Sequence, residues 1–157
     1  MSPEENVQAF LGARGIGLRV IHVDEEIPTV ETAAATLGVQ PAQIAKILAI
    51  RAKDRVLLVV TRGDARVDNI KFRDQFGSRP RMLPRAEAQE FTGQPVGGVS
   101  PFGHPDTMDI YCDESLRAFD AVYPSGGSRS SAVKVAPEQL SEIVGAEWVD
   151  VTKVPEG

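Results

Sequence analysis

Residues 95–105 hold three glycines (Gly97, Gly98, Gly103) and three prolines (Pro95, Pro101, Pro105) in eleven positions. Proline fixes φ and removes a donor, and glycine admits positive φ and close backbone approach. The stretch therefore reads as a stiff loop. Its unpaired N–H groups suit an oxyanion, a carbonyl or a phosphate, and the same composition also suits a plain chain reversal. Lys46 stands between apolar neighbours, where a compact charge in a cleft would hold a phosphate or carboxylate and a strand-entry lysine would instead reach solvent. Asp64 follows an apolar run and reads as a binding residue or a turn cap. Gly126, Gly127 and Arg129 form a second glycine-rich turn, either a pocket wall or an ordinary hairpin loop.

Other chemistry is poorly supplied. His22, His104 and Cys112 are scattered and lack ligand spacing, so no metal site and no cofactor is expected. A serine or cysteine nucleophile needs a positioned base, and Cys112 reads as a core thiol. Gly12, Gly15 and Gly17 have the wrong spacing for a dinucleotide fingerprint and follow a helix where a strand is required.

The chain of 157 residues is about one domain long, and its net charge of −5 argues against a broad basic nucleic-acid surface. A local cluster of Lys71, Arg73, Arg79, Arg81 and Arg85 remains available for phosphate, or is simply a solvated surface. No apolar run approaches the about 20 residues of a membrane span, so no membrane contact is expected. The acidic start has no signal-peptide pattern, and a single cysteine fits a reducing compartment, so the expectation is a cytoplasmic protein.

Periodicity and punctuation give the positioning elements. Helices are expected over residues 4–11, from Thr29 or Glu31 to Leu37, from Pro41 to Ile44, over residues 69–76 behind an Asp68 cap, from Pro84 to Phe91, and over residues 137–144. Strands are expected over residues 18–23, 47–51, 55–61, 109–113, 121–123, 132–135 and 147–151, with a Lys53-Asp54 hairpin turn. Lys46 then falls between a short helix and a strand. The mixture predicts an α+β fold with a mixed, partly antiparallel sheet.

These blocks, in this order, resemble a known family. Thr29 to Lys46, the Gly63, Asp64, Arg66, Val67, Asp68 segment, Thr92 to Gly103, Asp113 to Leu116, and Ser125, Gly126, Gly127, Arg129 are similar to the YbaK/ProX aminoacyl-tRNA deacylases, relatives of the editing domain inserted in bacterial prolyl-tRNA synthetases. The resemblance runs from about Ile21 to Val151. It implies one domain over 1–157, with a mixed, mostly antiparallel, barrel-like sheet and surrounding helices. It implies hydrolysis of a mischarged amino acid from tRNA, with neither a metal nor a protein nucleophile. Lys46, Gly97, Gly98 and Val99 would form the catalytic set, with backbone donors of Gly98 and Val99 or their neighbours at the oxyanion. Asp64, Ser100, Pro101, Phe102, Gly126, Gly127 and Arg129 would shape the substrate pocket. The implied partners are mischarged tRNA, tRNA(Pro) carrying Ala or Cys, and prolyl-tRNA synthetase. Ser130 and Ser131 stand where the family commonly has glycine and leucine after the arginine, and no aspartate follows near Val135, departures that bear on amino-acid specificity. The competing reading is a non-catalytic module that holds a tRNA 3′ end or a nucleotide.

Overall fold

The computed structural model describes residues 1–155. In chain order the elements are α1 (Pro3–Ala13), β1 (Val20–His22), α2 (Val30–Leu37), a 3-10 turn (Pro41–Gln43), β2 (Ile44–Ala52), β3 (Arg55–Arg62), β4 (Arg66–Val67), α3 (Asn69–Phe76), β5 (Arg81–Met82), α4 (Arg85–Thr92), β6 (Ile110–Asp113), a second 3-10 turn (Glu114–Ala118), β7 (Tyr123–Pro124), β8 (Ser131–Val133), α5 (Pro137–Val144), β9 (Glu147–Val149) and β10 (Thr152–Lys153). Local chemistry accounts for the helix ends. Ser2 and Glu5 satisfy each other's backbone N–H groups at the start of α1, and Asp68 accepts from Ile70 and Lys71 at the start of α3. Gly38, Gly77, Gly93 and Gly145 end α2, α3, α4 and α5 in left-handed conformations.

The main sheet runs β5-β2-β3-β6-β9, with β7 also beside β2. It is an open, mixed sheet. β2 pairs antiparallel with β3 and β5, whereas β7 on β2, β6 on β3 and β9 on β6 are parallel. The antiparallel pairs β1-β8 and β10-β4 complete the α+β domain. One sheet face presents Ala45, Ala49, Leu58, Val60 and Cys112 to Val7 and Leu11 of α1, Ala88 of α4 and Leu140 of α5. The other presents Ile50, Leu57 and Val59 to Phe72 of α3, and a third cluster joins Ile44 to Ala33 and Ala34 of α2. No helix among the described residues is long and apolar enough to cross a membrane.

Several boundaries differ from the sequence expectation, and three of the differences bear on the site or the C-terminal segment. Lys46 lies inside a strand, because the turn opened by Pro41 lasts only three residues and β2 begins at Ile44. The expected strand over residues 121–123 begins at Tyr123, with Val122 making an isolated bridge to Val135. The last expected strand, residues 147–151, ends at Val149, and a separate strand β10 begins beyond it at Thr152. The break is marked by Asp113, whose buried carboxylate accepts from Val151 N–H (2.8 Å), Thr152 Oγ1 (2.6 Å) and Ser115 N–H (3.0 Å). This carboxylate ties the C-terminal segment to β6.

Asp113→Ala leaves those donors buried without an acceptor, so a loss of about 3 kcal/mol is expected in urea unfolding, at one to three kcal/mol per stranded group. A loss below about 1 kcal/mol would show that water replaces the carboxylate at no cost.

Candidate active site

Lys46 extends from β2 across the sheet face that carries Ile44 and Ile50, and its Nζ donates to the Ala65 carbonyl at 2.5 Å. Half burial pulls the ammonium below the ordinary lysine range. Asp64 opposes that shift, and Arg66 adds to it. Asp64 is itself clamped by Arg62, Nε to Oδ1 at 2.6 Å and Nη2 to Oδ2 at 2.9 Å. The Arg62 hydrogen bonds hold the Asp64 carboxyl below the usual carboxylate range. Asp64 therefore acts on Lys46 through space from the loop after β3 and is not on the cavity wall.

Lys46 opens into a cavity of about 310 Å³. Ile27, Val30, Leu37, Leu83 and Ala88 make much of its wall apolar, Arg85 and Met82 stand on it, and Gly97 and Val99 close it from the glycine-proline loop. The loop and the lysine thus meet in one place, from segments far apart in sequence.

The loop is held by its own hydrogen bonds, and these decide which donors remain. Gly98 N–H donates to the Pro95 carbonyl at 2.8 Å. Ser100 N–H donates to Gln94 Oε1 at 2.8 Å, Phe102 N–H to Ser100 Oγ at 3.2 Å, and Val96 N–H to Gln89 Oε1 at 3.4 Å. Gly97 N–H and Val99 N–H have no partner among the described residues, and both residues line the cavity. Of the donors expected at the oxyanion, Gly98, Val99 or their neighbours, Gly98 commits its N–H to the turn. Gly98 is needed for shape. A Cβ there would lie 2.4 Å from Ser128 C and 2.8 Å from Arg129 N. Gly97 has φ +88, the left-handed region that favours glycine.

The remaining expected pocket residues support the loop from behind. Ser100, Pro101 and Phe102 are buried away from the cavity. Arg129 donates from Nη1 to the Val96 carbonyl at 2.7 Å and from Nε to Glu26 at 2.6 Å, bracing the loop against the segment before α2. Gly126 and Gly127 pack where a Cβ would strike Val20 and the Pro3 carbonyl at 2.7 Å, so this second turn seats α1 and β1. Sequence reasoning passed over Gln94. Its buried carboxamide accepts from Ser100 N–H and donates to the Phe102 carbonyl at 3.2 Å, fixing both strands of the loop. A glutamine before a proline carries no local signal of this.

The other candidate groups are occupied. His104 Nε2 lies 2.7 Å from the Ser100 carbonyl, and burial pushes its pKa down, which makes it a neutral donor to the loop. His22 pairs with Glu4 on the surface. Burial pushes the Cys112 thiol up to about 12. Ser125 Oγ donates to the Ser128 carbonyl. Among the described residues no set of three His, Cys, Asp or Glu side chains is placed to hold a metal. The cavity thus offers free backbone donors and a lysine, and Ser131 on its wall shares a hydroxyl hydrogen bond with Ser128, which donates to the Glu4 carboxylate. The basic cluster divides as well. Lys71 is tied to Asp150 and the Thr152 carbonyl, while Arg81 and Arg85 are exposed and Arg85 lines the cavity.

Comparison with known proteins agrees with this architecture. Residues 24–143 match the aminoacyl-tRNA editing domain. The uncharacterized protein YwhH of Bacillus subtilis is 46% identical over 127 residues, covering 80% of this chain and 81% of that one. A proline--tRNA ligase of Bacillus licheniformis is 31% identical over 102 residues, covering 64% of this chain but only 18% of the ligase. The crystal structure of a protein described as a proposed trans-editing enzyme for prolyl tRNA synthetase superposes with a TM-score of 0.87 at 30% identity, covering 98% of this chain and 99% of the other. The hypothetical protein APE2540 superposes equally well, TM-score 0.87 at 32% identity over 94% of this chain and 99% of its own. By its matched residues and its fold, the chain belongs to the aminoacyl-tRNA editing domain family.

Proposed function

We propose that this chain is a free-standing deacylase that hydrolyses the ester between a wrong amino acid and the terminal ribose of tRNA, with alanyl- or cysteinyl-tRNA(Pro) as substrate and prolyl-tRNA synthetase as partner. The observation that carries the reading is that Lys46 and the two free loop donors, Gly97 N–H and Val99 N–H, line one cavity. The ester carbonyl sits against these donors. They stabilise the oxyanion that forms when water, oriented by the substrate's own ribose hydroxyl, adds to the carbonyl carbon. Collapse breaks the acyl C–O bond, the ribose oxygen leaves as a hydroxyl, and the free amino acid departs. Lys46, desolvated and steadied by Asp64, holds the terminal phosphate or orients the ribose. The enclosed apolar wall admits small misacylated residues in the manner of a second sieve.

A non-catalytic 3′-end binder is favoured by one observation: no histidine, aspartate or glutamate lines the cavity among the described residues. Turnover separates the two. Burst-free hydrolysis of Ala-tRNA(Pro) or Cys-tRNA(Pro), with Pro-tRNA(Pro) spared, is the expected result, and tight binding without release of amino acid would establish the binder.

Lys46→Ala should lower deacylation about a hundredfold while shifting the melting temperature by less than about 4 °C, because the side chain makes one hydrogen bond and contributes little to the core. Wild-type turnover in that variant would remove Lys46 from the mechanism. Gly97→Ala and Gly98→Ala should each cost about tenfold or more and Ser100→Ala about threefold or less, since the loop acts through backbone placement. The reverse order would point to a serine nucleophile. EDTA treatment and Cys112→Ser should each leave activity in place, and loss restored by zinc would overturn the metal-free mechanism.

The acidic chain should bind uncharged tRNA(Pro) weakly at near-physiological salt and tightly only with the synthetase present. Removing Arg81 and Arg85 together should weaken every tRNA alike and flatten the salt dependence by about one unit per lost phosphate contact. Tight, sequence-selective binding by the isolated chain would contradict this.

A further inference from the structure

The cavity has a second set of free backbone groups, on the strand that carries Lys46. Hydrogen bonds at three points fix which way the β2 backbone faces. Leu83 N–H donates to the Ala49 carbonyl, so Ala49 turns its backbone away from β3. Leu58 N–H donates to the Asp109 carbonyl and Arg62 N–H to Ser115 Oγ, so these β3 residues, opposite Ala49 and Ala45, face away from β2. Alternation along a strand then directs Ile47 N–H and C=O outward as well.

On that outer side β2 has two partners with a gap between them. β7 pairs at Ile44 and Ala45, and β5 pairs at Ile50 and Arg51. Ile47 lies in the gap. No loop or side-chain group among the described residues bonds Ile47 N–H, the Ile47 carbonyl or Ala49 N–H, and the alternation turns all three away from β3. Every residue from Ile44 to Ala49 lines the cavity. Successive strand side chains point to opposite faces, so a hollow that touches all six must meet the strand edge-on. The cavity therefore opens onto an unsatisfied strand edge, facing the loop that carries Gly97 and Val99. A strand edge pairs with any group that offers a donor and an acceptor in main-chain spacing. An aminoacyl ester does so: its α-amine and its carbonyl are set as the N–H and C=O of one residue. No aspartate or glutamate lines the cavity, so an amine there meets neutral acceptors, of which the Ile47 carbonyl is the one on the open strand edge and the hydroxyls of Thr29, Ser125 and Ser131 are already hydrogen-bonded.

We propose that the β2 edge is the amine-recognition element of the site: the Ile47 carbonyl accepts a hydrogen bond from the α-amine of the aminoacyl group, so that the chain selects esters bearing a free amine. This rests on the deacylase reading above and names what that site demands of its substrate.

The test compares three esters of the same tRNA(Pro) with the full chain: alanyl, propionyl (the same acyl group without its amine) and N-acetylalanyl. Each rate is divided by that ester's uncatalysed hydrolysis, because the amine also activates the ester chemically. Propionyl-tRNA is smaller than the alanyl form and suffers no steric exclusion, so its rate reports the amine alone. The expected result is a normalised kcat/KM at least tenfold lower for propionyl, and lower again for N-acetylalanyl. Equal normalised rates for alanyl and propionyl would overturn this proposal and leave the deacylase reading intact. Failure to hydrolyse any aminoacyl ester of tRNA would overturn both.

Discussion

Gly98 rests its bare Cα on the peptide joining Ser128 and Arg129, and the site depends on that contact. A Cβ would lie within 2.4 to 2.8 Å of three backbone atoms that have no room to yield. The contact brings together two turns separated by some thirty residues of sequence. One carries the free donors of Gly97 and Val99. The other, through Arg129, holds the Val96 carbonyl and Glu26. Gln94 and His104 then bind the loop from the core side at Ser100 and Phe102. Side chains are spent on holding a backbone, and the backbone is what faces the cavity.

Electrostatics follow the same division. Lys46 is the half-buried cation of the site, and its cost of desolvation is only partly opposed by Asp64, held from behind by Arg62. On the cavity wall Asp64 would compete for the amine and repel the phosphates of the proposed substrate. Placed behind Ala65, it steadies Lys46 and leaves the cavity wall with Lys46 and Arg85 as its charged groups. An anionic nucleic-acid end and an uncharged ester carbonyl both suit such a site.

Much of the scaffold was legible in the sequence because its signals are local. The Asp68 cap, the closing glycines and the Lys53-Asp54 hairpin each act within a few residues. What was missed is non-local. β4, β5 and β10 are two residues long and show no periodicity, so only their partners define them. Lys46 was displaced from its strand because β2 is buried on both faces and gives no alternation at its start. The glycine-proline loop was readable as a rigid presenter of N–H groups. Which N–H groups remain free was not, because that depends on Pro95, Gln94 and Gln89 finding particular donors in three dimensions. Gly126, Gly127 and Arg129, expected from the resemblance to shape the pocket, do not line the cavity and pack behind it, Arg129 bracing the loop at Val96.

The central claim is that the substrate carbonyl meets the backbone donors of Gly97 and Val99. It is tested most directly by amide 15N–1H NMR of the chain titrated with an alanyl-adenosine in which a stable amide replaces the ester. The account predicts that the Gly97 and Val99 amide resonances move most, that Gly98 and Ser100 move little because their N–H groups are already bonded, and that the changes saturate together. Shifts confined to a second hollow, lined by Phe10, Arg14, His104 and Glu142, with Gly97 and Val99 unmoved, would contradict it.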